Sequence, residues 1–305
     1  MYEIAVILIN YNSSSFTISC VKSILEKTAK TINFQIIIID NNSKIEDYNT
    51  VLAFVNKLNN RAIILHQSLI NSGFGGGNML GVSLSNAKYY AFINNDTLLE
   101  NDCLSILKKA MEQDESIGIC GPLCHNEKGE LLPTLDYFAS PMKEIFGRKI
   151  LHKLNPKEYP SRTNLDPKPQ KGQFVSGSFM VVRAEDFWSV GGFDTNIFLY
   201  YEETDLCKRL AKIKKNAYLI PEAKYIHFHG ASTPKSIEIK TELKLSLLYV
   251  IRKHYGYFWY LIILNKLRFQ YFFKSFFKPS YWKLFIVLLA GTPLSKSLKY
   301  KQSNL

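Results

Sequence analysis

The chain has 305 residues, 47% of them apolar, and a formal charge of +12. That length holds one large domain, or a domain with an appendage, and the apolar content excludes a disordered chain. Five cysteines (Cys20, Cys103, Cys120, Cys124 and Cys207) form no C-x-x-C pair, which argues against a zinc site and a disulfide framework and fits a reducing cytoplasm.

Met1-Tyr2-Glu3 leads straight into an apolar run at residues 4–9. Without a basic leader or a small-residue cleavage site, the run reads as a buried strand and not as a secretion signal. Asn10-Tyr11-Asn12-Ser13 ends it. Residues 16–26 have helical spacing, and residues 34–39 form a second apolar run ended by Asp40-Asn41-Asn42-Ser43. Residues 48–58 are helical again, and 62–65 make a short third strand. The glycine-rich turn Asn71-Ser72-Gly73-Phe74-Gly75-Gly76-Gly77-Asn78 opens a helix over 77–86. A fourth strand, 89–93, ends at Asn94-Asn95-Asp96. Apolar runs without polar alternation, separated by helices, predict a parallel sheet covered on both faces.

In such sheets ligands bind at the carboxyl ends of the strands. Asn and Asp are common turn formers, but three such clusters at equivalent strand ends point to convergence on one edge.

Residues 140–172 carry five prolines and read as a long loop or lid with a short helix around 142–151. Residues 173–183 resume a strand pattern, 184–190 a short helix ended by Gly191-Gly192, and 217–220 a strand stopped by Pro221.

Three segments carry chemistry. The glycine-rich turn offers backbone N–H groups to a phosphate at a helix N-terminus, but Asn78 replaces the last glycine of a dinucleotide fingerprint and no Gly-Lys-Ser/Thr follows. Asp96 stands at a strand end where a carboxylate suits a divalent cation, with Asn94 offering a neutral oxygen. The run Glu202-Glu203-Thr204-Asp205 clusters three carboxylates that repel one another. Such a cluster serves a helix dipole, a metal ion, or removal of a proton from a hydroxyl. His227 and His229, before Gly230-Ala231-Ser232, are candidate metal ligands or phosphate donors.

In their order and spacing these segments, together with Ser176-Gly177-Ser178-Phe179-Met180 and Gly191-Gly192-Phe193-Asp194, resemble the inverting family 2 glycosyltransferases of the GT-A fold, in the bacterial rhamnosyltransferase-like branch. The likeness spans residues 6–232. It implies an α/β fold with a mostly parallel central sheet, a nucleotide-sugar donor, a Mg²⁺ or Mn²⁺ ion, and a saccharide or lipid-linked acceptor in surface polysaccharide assembly. By resemblance Asp40 reads the nucleotide base beside Asn10 and Tyr11, and Asn12, Asn42, Asn71, Gly73, Gly76, Asn78, Asn94 and Asn95 complete the donor site. Asp96 matches the second acid of the family's D-x-D motif, with Asn94 in place of the first, and joins His227 and His229 as metal ligands. Glu203 takes the place of the family's catalytic Asp, with Asp205 second and Glu202 orienting the acceptor. In a helix Glu202 and Asp205 share a face and Glu203 points about 100° away. A nucleotidyltransferase, and an inactive relative acting as a membrane-bound scaffold, are the rival readings.

Residues 236–305 hold twelve Lys and Arg against Glu238 and Glu242, a net +10 of the chain's +12. Fifteen aromatics fall within residues 249–285, and no apolar run there reaches the ~20 residues of a membrane span. The pattern predicts two parts: a glycosyltransferase domain at 1–235, and a helical region at 236–305 that either lies on the inner face of the cell membrane or caps the domain. No recognition motif accompanies the charge, so nucleic acid is not expected as a partner.

Overall fold

The computed structural model describes residues 1–162, 167–228 and 236–301. Its first part alternates strand and helix: β1 (Tyr2–Asn10), α1 (Ser14–Lys27), β2 (Phe34–Asp40), α2 (Ile45–Leu58), β3 (Ile63–Gln67), α3 (Gly73–Ser83) and β4 (Ala87–Asn94). Then come β5 (Thr97–Leu99), α4 (Cys103–Gln113), β6 (Ile117–His125), β7 (Leu131–Leu132), β8 (Leu135–Asp136) and α5 (Pro141–Leu154). The body closes with β9 (Gln170–Gly172), β10 (Phe174–Val175), β11 (Phe179–Arg183), α6 (Ala184–Ser189), α7 (Glu202–Lys212) and β12 (Asn216–His227).

The main sheet runs β3-β2-β1-β4-β11-β6-β12-β5, with β7 beside β6 and β9 beside β12. β1 to β4 are parallel, as are β6 and β12. β11 enters antiparallel between β4 and β6, so the sheet is mixed. Residues 173–183 are two strands, not one, and Pro221 does not stop β12. A register shift between Ile220 and Lys224 absorbs the proline, and pairing with β6 resumes at Lys224.

Successive side chains of a strand face opposite sides, and here both sides are dry. Val6, Leu8, Ile36 and Ile38 pack with Val21 and Ile24 of α1 and Leu104 and Leu107 of α4. Ile7, Ile37, Ile39 and Phe92 pack with Val82, Phe187, Leu206 and Leu210 of the other helices. The double burial explains why these strands read as unbroken apolar runs. The five cysteines are free and buried; burial pushes the Cys20 and Cys207 thiols up to about 12, which leaves them inert.

α8 (Ile237–Phe277) and α9 (Tyr281–Leu289) follow. Gly256, at φ 88°, breaks α8 into two arms. Burial, and the nearby charges of Lys274 and Lys266, push the Lys244 ammonium down. In a straight helix positions 244 and 274 would stand about 45 Å apart, so the arms fold back on each other. Leu247, Ile251, Ile263, Leu264 and Leu284 form a third core with Ala139 and Ile197 of the body. Residues 236–301 are thus built onto the body through shared packing.

Candidate active site

The polar ends of β1, β2 and β4 meet in one hydrogen-bonded network. Asn10, fully buried, donates through Nδ2 to Asp40 Oδ2 at 2.8 Å and to Asp47 Oδ2 at 2.7 Å, and accepts from the Thr17 hydroxyl at 2.7 Å. Asp40 Oδ1 accepts from the Ser43 N–H at 3.0 Å. Asn95 donates to the Ser13 and Thr17 hydroxyls. Asn41 donates to Asn71 Oδ1 and to the Gly73 carbonyl, and its own Oδ1 accepts from the Ser72 N–H. These bonds lock four loops into a rigid floor.

Above the floor opens a cleft of about 680 Å³. Tyr11, Asn42, Asn71, Gly73, Asn78, Asn94 and Asn95 line it, as the sequence leads one to expect of a donor site. Four expected contacts are not among its lining residues. Asp40 and Asn10 are fully buried in the floor, where the carboxylate accepts from the Asn10 amide and the Ser43 N–H. Asn12, at φ 51°, accepts from the Lys44 N–H and donates its own N–H to Ser43 Oγ. Gly76 packs on Ser72, where an added Cβ would meet the serine Cβ at 2.8 Å. The far wall was not foreseen: Phe198 and Leu199 come from the approach to α7, and Ser236, Glu238, Ile239, Leu298 and Lys301 from the basic C-terminal region. No local motif marks these residues; only the chain's path brings them here.

The glycine turn positions the acidic helix. Gly73, at φ +75°, lies so close to the Phe198 backbone that a Cβ would meet its carbonyl oxygen at 2.1 Å. The Phe74 N–H donates to that oxygen at 2.9 Å. The chain then turns through Tyr200 and Tyr201, both left-handed at φ 70° and 73°, into α7. Two consecutive non-glycine residues there cost about 1–2 kcal/mol each, a strain that packing must offset. Glu202, Glu203 and Asp205 all fall in the first turn, where negative charge suits the helix dipole.

The three acids have different surroundings. Asp205 is fully buried, bonded to Arg209 at 2.8 Å, Lys253 at 2.8 Å and His254 at 2.7 Å. Burial alone would raise its carboxyl; the His254 bond and the charges of Arg209 and Lys253 outweigh that and hold it well below the usual range. It ties α7 to α8, and its geometry is that of a structural anchor, not of a proton acceptor open to substrate. Glu202 is 3% exposed, and its Oε1 has no hydrogen-bond partner among the described residues. Burial, then the charge of Glu203, pushes its carboxyl well above the ordinary range. Glu203 is partly buried and packs on the turn at 176–178, where a Cβ on Gly177 would lie 3.7 Å from the glutamate Cβ. Burial raises this carboxyl too, opposed by its backbone N–H, by Lys143 and by a hydrogen bond from Glu202. Burial thus raises both carboxyls of the pair, Glu202 well above its ordinary range. The same turn meets β4: the Asn94 N–H donates to the Ser178 carbonyl at 2.8 Å. Lys143, from α5, is a neighbour that the sequence did not single out.

Asp96 and His227 come together across the sheet, Oδ1 to Nε2 at 3.2 Å, and both are buried. His229 lies outside the described residues. Among those residues no cluster of three His, Cys, Asp or Glu gathers for a metal. A carboxylate beside one imidazole is nonetheless a donor pair of the kind a Mn²⁺-type ion accepts. Asp96 is not among the cleft's lining residues; Asn94 and Asn95, just before it, are.

The model of "Glycosyl transferase family 2" matches residues 5–191. Rhamnosyltransferase WbbL of Escherichia coli (strain K12) is 30% identical over 204 residues, 59% of this chain and 71% of that protein. The N-acetylglucosaminyl-diphospho-decaprenol L-rhamnosyltransferase of Mycobacterium tuberculosis (strain CDC 1551 / Oshkosh) is 28% identical over 46% of this chain and 47% of its own length. Among solved structures, GalNAc-T7 with UDP, GalNAc and Mn²⁺ superposes with a TM-score of 0.63 at 13% identity, covering 85% of this chain and 50% of that one. The mannosyltransferase PcManGT from Pyrobaculum calidifontis, with GDP-Man and Mn²⁺, gives 0.57 at 12% identity, over 97% and 87%. At such identities these two speak for the fold alone.

Proposed function

The chain belongs to glycosyl transferase family 2 and is a glycosyltransferase of GT-A fold; from that premise we propose that it transfers rhamnose from a nucleoside diphosphate donor to a hydroxyl of a saccharide or lipid-linked acceptor, with inversion, in cell-surface polysaccharide synthesis. The names of its relatives supply the sugar and the lipid-linked acceptor. The observation that carries the chemistry is the 176–178 turn, which touches Asn94 of the cleft on one side and Glu203 on the other.

A sugar hydroxyl is a weak nucleophile because its pKa lies far above neutrality. Glu203, the part-exposed member of the carboxyl pair, in its ionised form takes that proton as the oxygen attacks the anomeric carbon. Attack from the side opposite the leaving diphosphate inverts the anomeric centre and needs no covalent enzyme intermediate. Tyr11 and the cleft asparagines hold the nucleoside by stacking and neutral hydrogen bonds. Asp96 and His227 are the residues that would hold a divalent cation, which when bound offsets charge on the departing diphosphate. Work at the inner face of the cell membrane suits a lipid-linked acceptor. Among the described residues no helix is long and apolar enough to cross a bilayer, while Phe269, Phe273, Phe276 and Phe277 of the second α8 arm are exposed.

The test is a turnover screen of dTDP-rhamnose, UDP-sugars and GDP-sugars against a lipid-diphosphate saccharide, with Mn²⁺ and after chelation. Release of dTDP that needs acceptor and metal is expected. Turnover of a UDP- or GDP-sugar in its place would overturn the choice of rhamnose, and full activity after chelation would overturn the metal.

A further inference from the structure

The wall of the cleft supplied by residues 294–301 belongs to none of the motifs that identify the family. Two short 3₁₀ turns, Leu294–Lys296 and Leu298–Tyr300, carry the chain across the first arm of α8. Glu242, 2% exposed on that arm, pins them: Oε1 accepts from the Ser297 hydroxyl and Oε2 from the Leu298 N–H, each at 2.8 Å. Lys299 Nζ donates to the Thr195 carbonyl at 2.7 Å. So held, Leu298 and Lys301 reach the cleft.

Charge makes the placement informative. Among the described residues that line the cleft, Lys301 is the one cation and Glu238 the one anion; the other polar lining is neutral, chiefly asparagine and serine. A nucleoside diphosphate brings two or more negative charges. Neutral amides and hydroxyls can hydrogen-bond it but cannot neutralise it, and with Asn94 in place of a carboxylate the site offers fewer ligands to a bridging cation. We propose that Lys301 is a donor-binding residue: its ammonium meets the diphosphate of the nucleotide sugar, and the Glu242-pinned turns serve to bring it there. The C-terminal segment is then a working wall of the donor site as well as part of the helical cap.

This inference rests on the nucleotide-sugar reading of the cleft, and its test separates the two. Binding of dTDP, UDP and GDP, and of thymidine, uridine and guanosine, is measured by calorimetry with Mn²⁺ for the intact chain, K301A and K301R. Lys301 is exposed, so neither substitution threatens the fold. K301A is expected to weaken the preferred diphosphate about tenfold, the usual size of one charge-assisted contact, while its nucleoside is unaffected and K301R restores most of the loss. Equal diphosphate binding by K301A and the unaltered chain would overturn the proposal. So would parallel loss of nucleoside and diphosphate, which would mean that the segment only shapes the cleft. Failure of the unaltered chain to bind any diphosphate would remove the nucleotide reading itself, and this proposal with it.

Discussion

His254 Nε2 lies 2.7 Å from Asp205 Oδ1, joining the first arm of α8 to the first turn of α7 at a fully buried carboxylate. Lys253, next in sequence, reaches the same oxygen at 2.8 Å and Asp194 at 2.7 Å. The acidic helix is therefore aimed from behind by the C-terminal region.

Removing that charge while leaving its partners buried is expensive. Asp205→Asn is expected to lower unfolding free energy by about 3–5 kcal/mol, the usual cost of breaking a buried ion pair from one side. Because the folded carboxyl titrates below its ordinary 3.8, its contribution is present above that pH and is lost as pH falls toward the folded value. Urea unfolding of the variant and the parent at pH 7 and again near pH 3 checks both the size and the narrowing of the gap. A variant as stable as the parent at pH 7 would contradict the anchor.

Glu202 has the opposite sign. Its carboxyl is raised, so the folded protein holds a proton that the unfolded chain gives up. Its contribution to stability is whole below the ordinary 4.5 and fades as pH climbs through the raised value. Glu202→Gln keeps the neutral shape at every pH. Thermal melts should therefore find the variant more stable than the parent at pH 8 and level with it below 4.5; a loss of stability at pH 8 would speak against a protonated Glu202.

Much of the fold is legible in the chain. The first four strands are apolar runs because both sheet faces are covered, and their polar ends meet as expected. The same double burial hides strand direction: β11 lies antiparallel between β4 and β6, yet its sequence, Phe-Met-Val-Val-Arg, would suit either orientation. β6 is interrupted by Gly118, Gly121 and Pro122, poor strand formers, and is nonetheless central. The site divides likewise. Motifs at strand ends mark the asparagine-lined side of the cleft, whereas Leu298 and Lys301 reach it, and Lys143 comes near Glu203, through tertiary contacts with no periodicity or motif to announce them. Helix periodicity groups Glu202 with Asp205, whereas the structure sets Glu202 against Glu203 and gives Asp205 alone to Arg209, Lys253 and His254; that division depends on α8, distant in sequence.

Of the two outcomes foreseen for the helical region, packing on the body is seen and contact with a membrane is the proposal to test. The region's first arm packs on the body, and its second presents Phe269 and Phe277 at 70% and 88% exposure among lysines. Each aromatic withdrawn into a lipid interface contributes apolar burial, and anionic lipid adds about 1 kcal/mol per nearby Lys or Arg. Flotation with anionic vesicles should carry the parent upward and leave a Phe269→Ser, Phe277→Ser double variant largely behind. Equal flotation of the two would remove these side chains from any membrane contact. A truncation is unsuited to this test, since it would strip Leu247 and Ile251 from the third core.

The central claim is that Glu203 takes the acceptor proton while the donor is held elsewhere. Single-turnover kinetics of Glu203→Gln, paired with calorimetric donor binding, tests it most directly. Turnover should fall by ~10²–10⁴-fold, the usual worth of general-base assistance, with donor affinity within about twofold of the parent. Turnover near that of the parent, or an equal fall in donor affinity and rate, would contradict the assignment.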